Sequence, residues 1–127
     1  ERTFALNHLA YWLLTHELLG ALRAAAAESG DARVVNVASD AHQSVPFGLP
    51  RDDLQLRAGW TQGKAYGVSK LCNVMFTYAL ARRLAGSGVT ANALHPGVIN
   101  SDFARGVGGS YGLLFKLVRP FLATPEE

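Results

Sequence analysis

The sequence predicts an α/β protein built around a parallel sheet. Three observations predict it: two long segments with apolar residues at helical spacing, a β-branched run after the first segment, and a second β-favouring run that ends at a Pro-Gly pair. A strand, a crossover helix and a second strand form a βαβ unit, whose two strands are parallel. The 127 residues are therefore expected to form a partial single domain, residues 1–127, of a doubly wound parallel sheet.

The first predicted helix covers residues 4–27. Leucines and alanines recur there at steps of three and four residues, which is the period of an amphipathic helix. Gly30 ends this helix, and residues 33–38 form a strand of the kind that is covered on both faces. Residues 40–62 carry prolines, glycines and charges without a sustained period, so we predict a long connection there, and such connections are usually functional.

The second predicted helix covers residues 63–85, and the second strand covers residues 89–94. Residues 111–122 carry another broad apolar face, which would line a substrate pocket, meet a partner or complete the core. Two parallel strands do not complete a doubly wound sheet, because its central strands need neighbours on both edges. We therefore expect an incomplete sheet, cut at both ends: the chain begins without Met, and residues 124–127 resemble the start of a helix.

Composition excludes several kinds of function. The chain has 12 lysines and arginines against 10 aspartates and glutamates, and this net charge of +2 is too small for a nucleic-acid-binding surface. The single cysteine, Cys72, cannot form an internal disulfide, so we expect a reducing, cytoplasmic setting. No cluster of Cys and His has metal-ligand spacing, and no run of about 18 apolar residues predicts a membrane span, so neither a metal nor a membrane partner is expected.

Polar side chains follow the first strand and begin the second helix. Ser39 follows the strand, and Tyr66 and Lys70 lie four residues apart, on one face of the helix. A phenol acts as an acid or base near neutral pH only if its pKa falls by about three units, which costs about 4 kcal/mol. One ammonium charge about 4 Å away contributes on the order of 4 kcal/mol at an effective dielectric constant of about 20. The pattern therefore predicts an acid/base pair, with a serine hydroxyl to polarise a carbonyl.

Each of these residues also has a structural interpretation. Tyr66 before Lys70 is typical of a helix surface where the ring packs over the lysine methylenes, and Ser39 is typical of a turn. His95 is more typical of a hydrogen bond or packing contact at a strand end than of a base. The asparagines at positions 36 and 73 are expected to satisfy backbone groups. Only the combination of residues and their order favours catalysis.

The order of these motifs resembles that of the short-chain dehydrogenase/reductases, over nearly the whole chain. The resemblance rests on Asn7 within a helix, the sequence VNVAS (35–39) at a strand end, YGVSK (66–70) at a helix start and NALHPG (92–97) at the next strand end. The sequence SKLCNVMF (69–76) is most similar to the retinol-dehydrogenase-like branch of this family. The resemblance implies a Rossmann-like fold, of which this chain is the catalytic half without the amino-terminal cofactor-binding half.

The resemblance also implies a role for each motif residue. Tyr66 would be the general acid/base, Lys70 would assist it and bind the nicotinamide ribose, and Ser39 would orient the alcohol or carbonyl. Asn7 would hold the water that relays protons to the lysine. Besides the tyrosine and the lysine, the residues implied in nicotinamide binding are Pro96, Gly97, Ile99 and Ser101.

The implied function is hydride transfer between NAD or NADP and an apolar alcohol or carbonyl, by a protein that is a homo-oligomer when intact. The family's glycine-rich fingerprint has no counterpart here, because the glycines at 106–109 follow no predicted strand. We therefore expect this chain alone to bind a dinucleotide poorly and to be inactive. The alternative is a non-catalytic protein that keeps the fold for binding or assembly, or an inactive fragment.

Overall fold

The computed structural model describes residues 2–97. The chain begins with one continuous helical segment in three parts: α1 (Arg2–Phe4), a π-helical turn (Ala5–Leu9) and α2 (Ala10–Ser29). Gly30 ends the segment with a φ of 80°, a left-handed conformation that favours glycine. The sequence predicted this helix but not its π turn, because the apolar spacing continues through that turn without a break.

The two strands, β1 (Ala32–Val37) and β2 (Val89–Leu94), pair in parallel and in register from the first residue of each to the last. Helix α3 (Gln62–Arg83) makes the crossover between them. The hydroxyl of Thr61 caps this helix by accepting a hydrogen bond from the N–H of Lys64. The predicted βαβ unit is confirmed, and the two-stranded sheet is that of an incomplete Rossmann-like α/β fold.

The connection from β1 to α3 begins with a 3-10 turn (Asp40–Ser44) and continues through irregular turns, as the sequence predicted. This 3-10 turn packs closely against Gly67 of α3. A Cβ atom at that glycine would lie 2.5 Å from Ser44 Oγ and 2.9 Å from Ala41 O, so only glycine allows this approach without a shift. The turn that follows β1 and the start of α3 are therefore held in contact.

Helices α2 and α3 cover the same face of the sheet. The core between them consists of the buried Ala26, Leu80, Leu84 and Val89, with Leu19, Leu22, Ala32, Val34, Phe76 and Ala91 packed around them. The opposite face of β1 is open in the described residues, where Val35 is 52% and Val37 39% exposed. The expectation that β1 is covered on both faces is therefore not met there, because both helices lie on one side.

The helical segment at residues 2–29, called the leading helix below, buries only part of its apolar side chains in this core. Leu13, Leu14 and Leu18 belong to the apolar pattern that predicted the helix, yet each is about half exposed or more. No helix between residues 2 and 97 is long and apolar enough to cross a membrane. The predicted helix at 111–122, the glycine cluster at 106–109 and the predicted helix start at 124–127 lie outside the described residues.

Candidate active site

Tyr66 and Lys70 lie one turn apart near the start of α3. Lys70 Nζ is 5.6 Å from the centroid of the Tyr66 ring. Tyr66 is half-buried, and Lys70 is only 7% exposed. Burial lowers the pKa of the Lys70 ammonium, because loss of water disfavours its charged form. The structure thus places a buried cation beside a phenol, as the four-residue spacing predicted.

The Lys70 ammonium is held by the end of β1. Lys70 Nζ donates a hydrogen bond of 2.9 Å to the carbonyl oxygen of Val37, the last residue of that strand. The same oxygen accepts a longer bond, 3.5 Å, from Asn73 Nδ2. Steps of four, three and four residues continue this polar face of α3 from the tyrosine to Thr77. One helix face therefore holds the end of the strand by polar bonds.

A buried side-chain pair continues this face. Asn36 Nδ2 donates to Thr77 Oγ1 at 2.8 Å, and that hydroxyl donates to the carbonyl oxygen of Asn73 at 2.7 Å. Asn36 and Thr77 are 3% and 5% exposed. The prediction that both asparagines satisfy backbone groups is correct for Asn73. It is wrong for Asn36, whose amide donates to a side chain, the Thr77 hydroxyl. The sequence alone does not show that α3 places this hydroxyl opposite β1.

Ser39 follows β1 and caps the 3-10 turn. Its Oγ accepts a hydrogen bond of 3.2 Å from the N–H of Ala41, and its carbonyl oxygen lies 2.7 Å from His42 Nδ1. The interpretation of Ser39 as a turn residue is therefore correct. It does not exclude catalysis, because the cap uses an acceptor lone pair and the hydroxyl hydrogen can still be donated to a carbonyl.

A cavity of about 430 Å³ lies beside Ser39. The turn after β1 contributes Ser39 and His42 to its wall, α3 contributes residues around Thr77, and β2 forms the other side. Tyr66 and Lys70 are not among the lining residues. The cavity therefore borders the candidate site at the serine and is separate from the tyrosine and lysine.

His95 joins the turn after β1 to the end of β2. Its Nδ1 accepts a 3.3 Å hydrogen bond from the N–H of Asp40, and its Nε2 lies 3.1 Å from Asp40 Oδ2. A neutral imidazole with its hydrogen on Nε2 makes both contacts. The prediction that His95 makes a hydrogen bond at the strand end is confirmed.

Asn7 lies in the π turn, a helix form that is frequent at functional sites. Its Nδ2 donates to Ser69 Oγ at 3.1 Å, and that hydroxyl donates to the carbonyl oxygen of Tyr66 at 2.7 Å. The carbonyl oxygen of Asn7 accepts a 2.9 Å bond from Asn73 Nδ2. Asn7 is thus connected to the turns of α3 that carry the tyrosine and Lys70, through these two neighbours.

Comparison with known proteins identifies the family. A family model of the short-chain dehydrogenase type, described as enoyl-(acyl carrier protein) reductase, matches residues 54–119, which is more than half of the chain. The chain belongs to the short-chain dehydrogenase/reductase family. The retinol-dehydrogenase-like resemblance is also confirmed: the chain is 44% identical to retinol dehydrogenase 12 of Homo sapiens over 129 residues and 47% identical to that of Bos taurus over 128.

A third relative of this chain is polyprenol dehydrogenase of Homo sapiens, 42% identical over 130 residues. Each of the three matches covers 100% of this chain, but only 38% of either retinol dehydrogenase and 39% of the polyprenol dehydrogenase. The chain thus spans less than two-fifths of the length of these relatives.

Of the four further residues that the family resemblance implies in nicotinamide binding, the structure describes two. Pro96 and Gly97 follow β2 and are exposed, and they belong to a different compact unit from the residues up to His95. Gly97 has a φ of 81°, a conformation that favours glycine. Ile99 and Ser101 lie outside the described residues. Between residues 2 and 97, no three His, Cys, Asp or Glu side chains are placed to hold a metal ion.

Sequence reasoning gave His8 no role, yet it lies in the site's hydrogen-bond network. His8 Nδ1 is 3.0 Å from Asn73 Oδ1. The sequence does indicate the position of Asn73, because this asparagine follows Lys70 by three residues and so lies on the same face of α3. No comparable signal existed for the histidine, since its contact depends on how the leading helix packs against α3.

Proposed function

We propose that the intact protein is an NAD- or NADP-dependent oxidoreductase that transfers hydride between nicotinamide and an apolar alcohol or carbonyl, with Tyr66 as general acid/base. The observation that carries this proposal is the position of the Lys70 ammonium, which is 7% exposed and 5.6 Å from the tyrosine ring. Membership of the short-chain dehydrogenase family supports the reaction type. The names of the retinol and polyprenol dehydrogenases support an alcohol with a long apolar chain as substrate.

In this proposal Tyr66, Lys70 and Ser39 have different roles in the transfer of the proton. In alcohol oxidation, the Tyr66 oxygen takes the hydroxyl proton while the hydride leaves the carbon that becomes the carbonyl; reduction is the reverse. Bound NAD or NADP supplies the acceptor or the donor of that hydride. In this proposal the Lys70 ammonium, 5.6 Å from the centroid of the ring, assists the proton transfer at the phenol oxygen. Ser39 donates its hydroxyl hydrogen to the substrate oxygen and so orients it.

The donors present fit a nicotinamide ribose. An ammonium has three N–H donors, and the bond from Lys70 to the carbonyl of Val37 uses one of them. The same ammonium therefore has donors left for ribose hydroxyls. In this proposal Asn7 holds a water that relays protons to the lysine, and Pro96, Gly97, Ile99 and Ser101 complete the nicotinamide contacts.

Replacement of Tyr66 tests the proposal. In the intact protein we expect Tyr66→Phe to lower kcat for an apolar long-chain alcohol by about 10²–10⁴-fold, the usual contribution of a general acid/base, with little change in dinucleotide affinity. Tyr11→Phe, on α2, is the matched control. Turnover is followed by the absorbance of the reduced nicotinamide, and affinity by its fluorescence. Unchanged turnover in Tyr66→Phe rules out the acid/base role.

The proposal extends to self-association of the intact protein. The helical segment at residues 2–29 exposes several large apolar side chains, and exposed apolar surface is typical of an interface. These side chains are Leu6, Leu9, Trp12, Leu13, Leu14 and Leu18, from 45% to 61% exposed. Light scattering on Trp12→Glu, with Arg23→Glu as control, tests this: only the tryptophan substitution should reduce the mass to that of a monomer. The same exposed side chains favour the second candidate function, that of a non-catalytic assembly protein. Absence of turnover in the parent protein and in all its variants would support that candidate.

We also propose a cytoplasmic location. It rests on the buried, free thiol of Cys72, which suits a reducing compartment. Fractionation of cells that express the intact protein tests it, and recovery of the protein in an oxidising compartment would exclude it.

A further inference from the structure

Asn73 is a fully buried amide, 0% exposed, that the proposed acid/base chemistry does not use. Its Nδ2 donates to the carbonyl oxygens of Asn7, at 2.9 Å, and Val37, at 3.5 Å, and its Oδ1 lies 3.0 Å from His8 Nδ1. Carbonyl oxygens only accept, so they fix the amino end of the amide, and Oδ1 must then be an acceptor. His8 Nδ1 therefore carries a hydrogen and donates it. One buried amide thus joins the π turn, the end of β1 and α3.

The carbonyl of Val37 connects this amide to Lys70. Lys70 Nζ donates to that oxygen at 2.9 Å, so Asn73 and the lysine, three residues apart on α3, share one acceptor. The amide also holds the π turn against the helix, through the carbonyl of Asn7. Displacement of the amide would therefore remove the second donor to the Val37 carbonyl, which β2 still holds through the sheet, and would release the carbonyl of Asn7 in the turn beside it.

His8 is itself confined by two aromatic rings. Its ring centroid lies 5.3 Å from that of Phe4 and 6.1 Å from that of Phe76, the second in an edge-on arrangement. These contacts leave the imidazole few orientations, and the one observed points Nδ1 at the amide oxygen of Asn73. A donor on the leading helix thus fixes the orientation of the amide on α3.

We propose that Asn73 and His8 are positioning residues for Lys70: His8 orients the amide, and the amide fixes the strand-end carbonyl that anchors the ammonium. For its effect on turnover, this inference rests on the proposed oxidoreductase function. Its effect on the position of Lys70 does not, because that follows from the hydrogen bonds alone.

Lysine labelling tests the position of the ammonium. His8→Phe keeps an aromatic ring between Phe4 and Phe76 but removes the donor, whereas His8→Asn restores an N–H near the position of Nδ1. In the intact protein, we expect an acetylating reagent to modify Lys70 about fivefold faster in His8→Phe than in the parent, the factor that corresponds to one lost hydrogen bond, and at the parent rate in His8→Asn. Peptide mass spectrometry measures each rate. The exposed Lys64 on the same helix is the internal control.

Two further variants complete the design. Asn73→Leu removes the amide itself and should raise the rate of Lys70 labelling at least as much as His8→Phe does. His16→Phe changes a histidine that stacks on Trp12, at 5.4 Å between ring centroids on the same helix, and should leave the labelling unchanged. If Asn73→Leu does not fold, the pair of His8 variants still decides the result.

Kinetics on the same variants separate this inference from the proposed function. We expect kcat to fall about fivefold in His8→Phe, with KM for the alcohol unchanged and kcat restored in His8→Asn, because the acid/base geometry and not substrate binding is altered. Faster Lys70 labelling without turnover in any protein, parent included, would support the positioning role and reject the oxidoreductase. Equal labelling of Lys70 in parent and His8→Phe would overturn the positioning role, whatever the activity.

Discussion

The buried pair of Asn36 and Thr77 offers a quantitative test of the packing between β1 and α3. Asn36 Nδ2 donates to Thr77 Oγ1 at 2.8 Å, and both residues are at most 5% exposed. Thr77→Val keeps the shape of the side chain but removes the acceptor, which leaves a buried amide hydrogen without a partner. An unsatisfied buried group costs about 1–3 kcal/mol, so we expect the free energy of unfolding to fall by about that amount.

A double-mutant cycle isolates this hydrogen bond. Asn36→Leu combined with Thr77→Val replaces both polar groups by apolar ones, so the pair should cost clearly less than the sum of the two single substitutions, with a coupling of about 1 kcal/mol or more. Urea unfolding of the intact protein measures all four free energies. Thr90→Val, on the exposed face of β2, is the matched control and should change stability by less than about 0.5 kcal/mol. The reasoning would be refuted if the losses of unfolding free energy in Asn36→Leu and Thr77→Val added up to that of the double variant. Equal losses in Thr77→Val and Thr90→Val would also refute it.

Two further predictions concern α3. Gly67→Ala should lower the free energy of unfolding by about 1–3 kcal/mol, because its Cβ would meet the 3-10 turn at 2.5 and 2.9 Å, whereas Gly20→Ala, with nothing within 4 Å, should raise it by about 0.5–1 kcal/mol. Urea unfolding would contradict this if both alanines were stabilising. Burial raises the pKa of Cys72 from its ordinary 9.0 to about 11, so at pH 8 its thiolate is about 100-fold rarer. A disulfide reagent should therefore react at least about tenfold more slowly with the native than with the unfolded protein, because the greater nucleophilicity of a more basic thiolate offsets only part of its rarity. Similar rates would show that the thiol is not shielded.

The regular elements and the proximity of Tyr66 to Lys70 could be predicted from the sequence, because both depend on local spacing. The predicted strand at 89–94 coincides with β2, and the four-residue step from Tyr66 to Lys70 placed the two side chains on one face. The hydrogen bonds that organise the site could not be predicted. The contact of His8 with Asn73 joins residues 65 apart in the chain, so it depends on how two helices pack.

The π turn and the open face of the sheet were missed for different reasons. The turn at Ala5–Leu9 changes the hydrogen-bond ladder by one residue without changing which residues are apolar, so hydrophobic periodicity does not detect it. The β-branched run that includes Val35 has the composition of a strand covered on both sides. Composition does not tell which elements provide the cover, and in the described residues both helices lie opposite that valine.

The choice of a peptide oxygen as the anchor of Lys70 has a consequence for electrostatics and for mutational tolerance. Among residues 2–97, Asp31 forms an ion pair with Arg33 and Asp40 contacts the imidazole of His95, and neither contact includes this lysine. A carboxylate in place of the Val37 carbonyl would oppose the positive potential of the ammonium at the phenol, whereas a neutral carbonyl dipole opposes it much less. Because the anchor is main chain, no exchange of the side chain at position 37 deletes it.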